Sequence, residues 1–230
     1  MKNKHKVHNL IVLDESGSMD SIKSIIISGF NELVQTVKGV QKQFPKQDHR
    51  ISLITFNGLG NKIHHFNVPV EELGLIDKDK YQPDSMTPLF DAMGFGIAQL
   101  QKVLEKEKKY NVLVTILTDG LENASREYSG AAIKKLVEQL KLENWTFTYI
   151  GTDHNVEDFA TSISITNTLN FIKSEQGTQA MFQREREART NYSRKLDLFD
   201  TVIEGYYDED EEVEGEEGGK DERKSDDASE

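Results

Sequence analysis

Cysteine is absent from the 230 residues, which excludes disulfides, thiolate nucleophiles and thiolate metal sites. That absence fits a reducing compartment, and a cytoplasmic location is the expectation. No apolar run approaches the ~18 residues needed to cross a bilayer as a helix, so no membrane span is expected. The basic start, residues 1–6, is followed by only four strongly apolar residues, Leu10, Ile11, Val12 and Leu13, and then by Asp14. No small-residue cleavage site follows, so these residues read as a buried strand and not as a secretory signal. The six histidines contain no His-x-x-x-His pair, and His64 and His65 are adjacent on an expected strand and point to opposite faces. No glycine-rich loop ends in Gly-Lys-Ser/Thr, so the chain is not itself a P-loop ATPase. No general base lies near a candidate serine nucleophile in the sequence, and an enzyme is not the expectation.

Charge of either sign is scarce as a net quantity over most of the chain. Of the net −12, residues 204–230 carry −11, with 14 acidic and 3 basic groups. The preceding 203 residues hold 26 acidic and 25 basic groups, so the body is almost neutral. No basic surface of the kind that binds phosphate backbones is required by this composition, and nucleic acid is not expected as a partner. The acidic stretch cannot bury enough apolar area to offset chain entropy, so residues 204–230 are expected to form a disordered tail. Its role is either solubility or docking, to a basic partner or back onto the chain's own site.

What is present is an alternation of strand and helix signals. Residues 7–13 are rich in apolar and β-branched side chains, with His8 and Asn9 the polar exceptions, and a polar loop follows, residues 14–20. Ile22, Ile25, Ile26, Phe30, Leu33, Val34 and Val37 then recur at helical spacing, and Pro45 closes that helix. Residues 51–56 form a second strand before the Asn57-Gly58 turn signal, and residues 62–68 return antiparallel at the sheet edge. Thr87-Pro88 opens a helix carrying Leu89, Met93, Ile97, Leu100 and Leu104, with Pro88 suited to its first position. Residues 112–117 are apolar apart from Thr115, as a strand covered on both faces should be. A helix around Ile133–140, a strand at 145–150, a short helix at 156–162 and a strand at 169–172 follow. Ala188, Tyr192, Leu196, Phe199 and Ile203 mark a last helix, with Arg184, Arg186, Arg189, Arg194 and Lys195 on its exposed face. The expected fold is α/β, doubly wound, with a mostly parallel central sheet, one antiparallel edge strand and helices on both faces. The expected division is 1–172 as a domain with a site, 173–203 as a helix packed on it, and 204–230 as the tail.

Three polar segments interrupt the pattern, each at the C-terminal end of a strand or in a loop entering a helix: Asp14-Glu15-Ser16-Gly17-Ser18, Thr87, and Asp119. In a doubly wound sheet such loops converge on one crevice. Two carboxylates and three hydroxyls meeting there make a hard, all-oxygen donor set, suited to Mg²⁺ or Mn²⁺, and to Ca²⁺ in looser geometry. The alternative is that Ser16, Ser18 and Thr87 only cap helices. Two carboxylates in one crevice nevertheless call for a cation.

Asp-x-Ser-x-Ser, a distant Thr and a distant Asp resemble the metal-ion-dependent adhesion site of von Willebrand factor A domains and integrin I domains. Asp14, Ser16, Ser18, Thr87 and Asp119 match it in order over roughly residues 6–172, and Thr118-Asp119-Gly120 resembles intracellular and bacterial members. The resemblance implies a divalent ion held by these five residues and a protein partner that supplies an Asp or Glu to it. It also implies an alternative, a regulatory subunit for an ATPase of the chelatase type.

Overall fold

The structure, a computed structural model, describes residues 4–199 and 205–208. Among these residues six strands form one sheet: β1 (His5–Asp14), β2 (Gln47–Asn57), β3 (Gly60–Pro69), β4 (Tyr110–Leu117), β5 (Trp145–Gly151) and β6 (Asn167–Asn170). Their order is β3-β2-β1-β4-β5-β6; only β3 runs antiparallel, paired to β2 across a tight turn at Gly58-Leu59. The expected fold class is therefore the observed one. Among the described residues, five α-helices connect or flank the strands: α1 (Lys23–Gln43), α2 (Leu89–Leu104), α3 (Gly130–Lys141), α4 (Val156–Ser162) and α5 (Glu175–Phe199).

The sheet grows from β1 first toward β2 and then, across β4, toward β6. Keeping both sets of crossovers right-handed requires the helices to change faces at that point. They do. Leu10 and Val12 of β1 pack under α2, α3 and α4, whereas Ile11 and Leu13 pack under α1. The two-residue period of the strand thus serves two separate apolar layers, which is why residues 10–13 are all apolar.

Helix α5 covers the rest of the second face. It approaches α1 closely because Gly29 has no side chain: a Cβ there would lie 2.1 Å from Phe182 Cδ2. The helix begins at Glu175, close to the expected start at 173, and Met181 and Phe182 also join the core. Residues 200–203, the end of the expected helix, lie outside the described residues, as do 209–230 of the expected tail.

Two expectations about this end of the chain need correction. Arg189 is not on an exposed face; it is buried against the sheet. Its guanidinium donates to Asn9 Oδ1 at 2.6 Å, Thr115 Oγ1 at 2.8 Å and Glu185 Oε1 at 2.5 Å. Nor is the segment from 204 uniformly tail-like, because Tyr206 packs against Tyr192 and its hydroxyl donates to Glu185. Tyr207 donates to the other Glu185 oxygen at 2.8 Å. A helical-spacing argument cannot see this, since the partner atoms lie on β1, β4 and the segment after α5. Buried charge is tolerated here because each charged group is paired and hydrogen-bonded.

Candidate metal crevice

Strand β1 ends at Asp14, beside the point where the sheet reverses its winding. The following backbone is pinned: Glu15 N donates to Phe56 O at 2.8 Å, and Gly17 N to Ser85 O at 3.1 Å. The chain then enters a short 3-10 helix, Gly17–Ile22. Asp14 closes an Asx turn by accepting Ser16 N at 2.7 Å on Oδ1. Its Oδ2 accepts the Thr118 hydroxyl at 2.5 Å, from the end of β4. Burial raises the Asp14 carboxyl from 3.8 to about 6. The Thr118 and Ser16 hydrogen bonds partly offset that rise, and the Asp119 charge adds to it.

Ser16 stands at the start of the 3-10 helix, yet its hydroxyl makes no cap. Ser16 Oγ lies 3.1 Å from Ser18 Oγ, which donates to Asp119 Oδ1 at 2.6 Å. A chain of contacts thus runs from Asp14 through Ser16 and Ser18 to Asp119, joining the ends of β1 and β4. Thr87 comes from the loop before α2. Its amide donates to Asn123 Oδ1 at 2.9 Å, and its carbonyl accepts Asn123 N at 3.1 Å. A Cβ on Gly120 would lie 3.7 Å from Thr87 Oγ1, so Thr87 faces the turn after Asp119. All five residues singled out in the sequence therefore gather at one end of the sheet. Pro88 precedes the helix instead of starting it; α2 begins at Leu89.

Several supporting groups escape sequence reasoning. Glu15 is fully buried and points away from the crevice. It accepts Thr55 Oγ1 at 2.6 Å, Gln82 N at 2.6 Å and Lys62 Nζ at 2.9 Å, tying the Asp14–Ser18 loop to β2, β3 and the loop before Thr87. Tyr81 is also buried, and its hydroxyl donates to Asp14 O at 2.6 Å. Glu122 and Asp91 accept backbone amides across the same junction, Phe90 N at 2.9 Å and Tyr128 N at 2.8 Å among them. Acidic residues in loops ordinarily read as solvated surface, so only their packing reveals this bracing role.

The two carboxylates find part of their counter-charge within the chain. Lys173, in the loop after β6, places its ammonium 2.6 Å from Asp119 Oδ2 and 3.8 Å from Asp153 Oδ2. The only signal for it in the sequence is its position just after a strand whose end opens on the same edge.

Among the described residues no group of three or more His, Cys, Asp or Glu side chains is arranged to hold a metal ion. The crevice instead offers two carboxylates and the hydroxyls of Ser16, Ser18 and Thr87. That is an oxygen-only set, which suits a hard dication that keeps some of its waters.

The family model for the von Willebrand factor type A domain matches residues 10–192, from within β1 to within α5. The chain belongs to the von Willebrand factor type A family. The match extends the domain past the β6 edge and into α5, beyond the stretch that carried the resemblance in the sequence. Solved structures with this fold include the D319A mutant of the PilB minor pilin from Streptococcus sanguinis, at TM-score 0.58 and 12% identity, covering 86% of this chain and 64% of that one. Proximal thread matrix protein 1 from the mussel byssus has TM-score 0.55 at 13% identity, covering 81% and 46%. The SpRpn10 VWA domain has TM-score 0.51 at 12% identity, covering 77% of this chain and 94% of that domain. This chain thus spans less than two thirds of the pilin and less than half of the thread protein. Comparison with curated proteins gives no match. Domains of the von Willebrand factor A type are generally protein-interaction modules, and no helix among the described residues is long and apolar enough to cross a membrane.

Proposed function

We propose that this chain is a non-catalytic protein-binding module in which Asp14, Ser16, Ser18, Thr87 and Asp119 hold a divalent cation, Mg²⁺ or Mn²⁺, with Ca²⁺ in looser geometry. The supporting observation is the convergence of five oxygen-bearing side chains from three loops, joined across the sheet by the 2.6 Å bond between Ser18 and Asp119. When bound, the ion would supply an electrophilic position for one carboxylate oxygen from an Asp or Glu of a protein partner. The chain's own residues do the rest. Thr118 and the Ser16 amide orient Asp14, Asn123 holds the backbone of Thr87, and the Glu15 anchor holds the Asp14–Ser18 loop on its neighbours.

The test is calorimetric titration of the full chain with Mn²⁺, and with Mg²⁺, for the wild type and Asp119→Ala. The expected outcome is one saturable site that Asp119→Ala removes while the circular dichroism spectrum is unchanged. A wild type that shows no saturable site, or a site equally strong in Asp119→Ala, would overturn the proposal. For the partner half of the claim, the measurement is retention of proteins on immobilised chain in Mg²⁺. Retention is expected to be released by EDTA and absent with Asp119→Ala. Retention insensitive to both would show binding by another surface.

A further inference from the structure

The crevice contains a positive charge of its own. Lys173 is held with its side chain only 20% exposed, its ammonium 2.6 Å from Asp119 Oδ2. The other Asp119 oxygen, Oδ1, accepts the Ser18 hydroxyl, whereas the buried Oδ2 accepts no hydrogen bond among the described residues and is met by the Lys173 charge. A second carboxylate, Asp153, stands just beyond, its Oδ2 3.8 Å from the same ammonium and its side chain 56% exposed. Asp153 sits in the left-handed backbone region at φ 62°, in the turn after β5. The three groups lie on successive loops: Asp119 after β4, Asp153 after β5, Lys173 after β6.

We propose that Lys173 is the affinity-setting residue of the crevice. Its ammonium closes on Asp119 when no divalent ion is bound, and passes to Asp153 when one is. This rests on the metal reading given above and goes beyond it, because it makes ion binding an exchange of one cation for another. A dication held by Asp119 and an ammonium touching that same carboxylate repel one another at short range, where little water intervenes to screen them. The ammonium cannot stay. A lysine is suited to such a move, being a compact charge on a flexible four-carbon stem with three equivalent donors. Asp153 gives it a seat within reach, partly in water. Exchange also discriminates by charge. A monovalent ion gains little by replacing an ammonium of equal charge, whereas a divalent ion gains the extra attraction of both Asp14 and Asp119.

The experiment is Mn²⁺ titration of the full chain by calorimetry, comparing wild type, Lys173→Met and Asp153→Asn, with Asp119→Ala measuring background from the acidic stretch beyond residue 208. Lys173→Met is expected to bind Mn²⁺ about tenfold tighter or more, because the competing charge is gone. Asp153→Asn is expected to bind about threefold weaker or more, because the released ammonium loses its seat. Thermal unfolding without metal is expected to show Lys173→Met less stable than wild type, since Asp119 then lacks its counter-ion. Binding by Lys173→Met equal to or weaker than that of wild type overturns the proposal and leaves the metal reading standing. Unchanged affinity in Asp153→Asn overturns the passage to Asp153. Absence of any Mn²⁺ site in both wild type and Lys173→Met overturns the metal reading, and this inference with it.

Discussion

Asp14 supplies the sharpest prediction. Its carboxyl titrates at about 6 in the folded chain against 3.8 as a free side chain, chiefly because burial disfavours the charged form. A raised folded-state value means that the native state holds its proton longer than the unfolded state does. The favourable contribution of protonated Asp14 is therefore fully present below 3.8 and is lost as pH rises toward about 6. Asp14→Asn removes the charge and keeps the shape. Its amide oxygen still accepts the Ser16 amide, and the Thr118 hydroxyl turns its hydrogen to Gly120 O, already 3.1 Å away. Relative to wild type without metal, the variant is expected to gain about 0.5 kcal/mol at pH 4 and about 3 kcal/mol at pH 8. In a domain of this size the larger figure is about 6–12 °C in Tm. Urea unfolding followed by fluorescence of the single tryptophan, buried Trp145, reads both states directly. Titrating groups remote from Asp14 are common to the two proteins and cancel in the difference. Adding Mg²⁺ is expected to stabilise wild type and not the variant. A variant less stable than wild type at pH 8, or a difference flat with pH, would refute the reasoning.

Three further outcomes follow from the packing. Arg189→Met leaves the Glu185 carboxylate buried without its counter-ion and is expected to cost about 3–5 kcal/mol in urea unfolding; a loss under about 1 kcal/mol would show that the pair is not isolated from water. Gly29→Ala places a methyl group 2.1 Å from the Phe182 ring and is expected to cost about 1–3 kcal/mol; the penalty should shrink in a Phe182→Ala background, and equal penalties in both would place the strain elsewhere. His8 and His49 are pushed by burial from 6.5 down to about 4 and about 3, so the unfolded chain takes up protons first. Stability should then fall as pH drops below about 6.5, and His8→Leu should flatten part of that slope, measured as urea midpoint against pH; an unaltered slope would count against burial as the cause.

The crevice explains why a metal-site motif and an internal lysine can coexist. Without a divalent ion, the charge of the two carboxylates is reduced, because Asp14 keeps its proton up to about pH 6 and Asp119 is paired with Lys173. The cost of holding the two carboxylates in one crevice is thereby lowered. Glu15 contributes differently: its three accepted hydrogen bonds fasten the loop from behind, so the serines keep their positions whether or not the crevice is charged.

The local pattern of the sequence determined the fold. Alternating strand and helix periodicities, the apolar runs at residues 10–13 and, broken only by Thr115, at 112–117, and a single antiparallel return required a sheet covered on both faces. The five crevice residues were legible for the same reason, because each lies at a strand end or helix entry, and sheet topology sends those positions to one place. What only the tertiary structure decided are the contacts between groups far apart in the chain with no periodicity to announce them. Lys173 reaches Asp119 across the end of β5, Arg189 reaches β1 and β4 through α5, and Tyr206 and Tyr207 close on Glu185 from what the composition marks as tail. A charged side chain reads as solvated until its partner is known, and that partner is chosen by the packing of whole elements, not by the residues beside it.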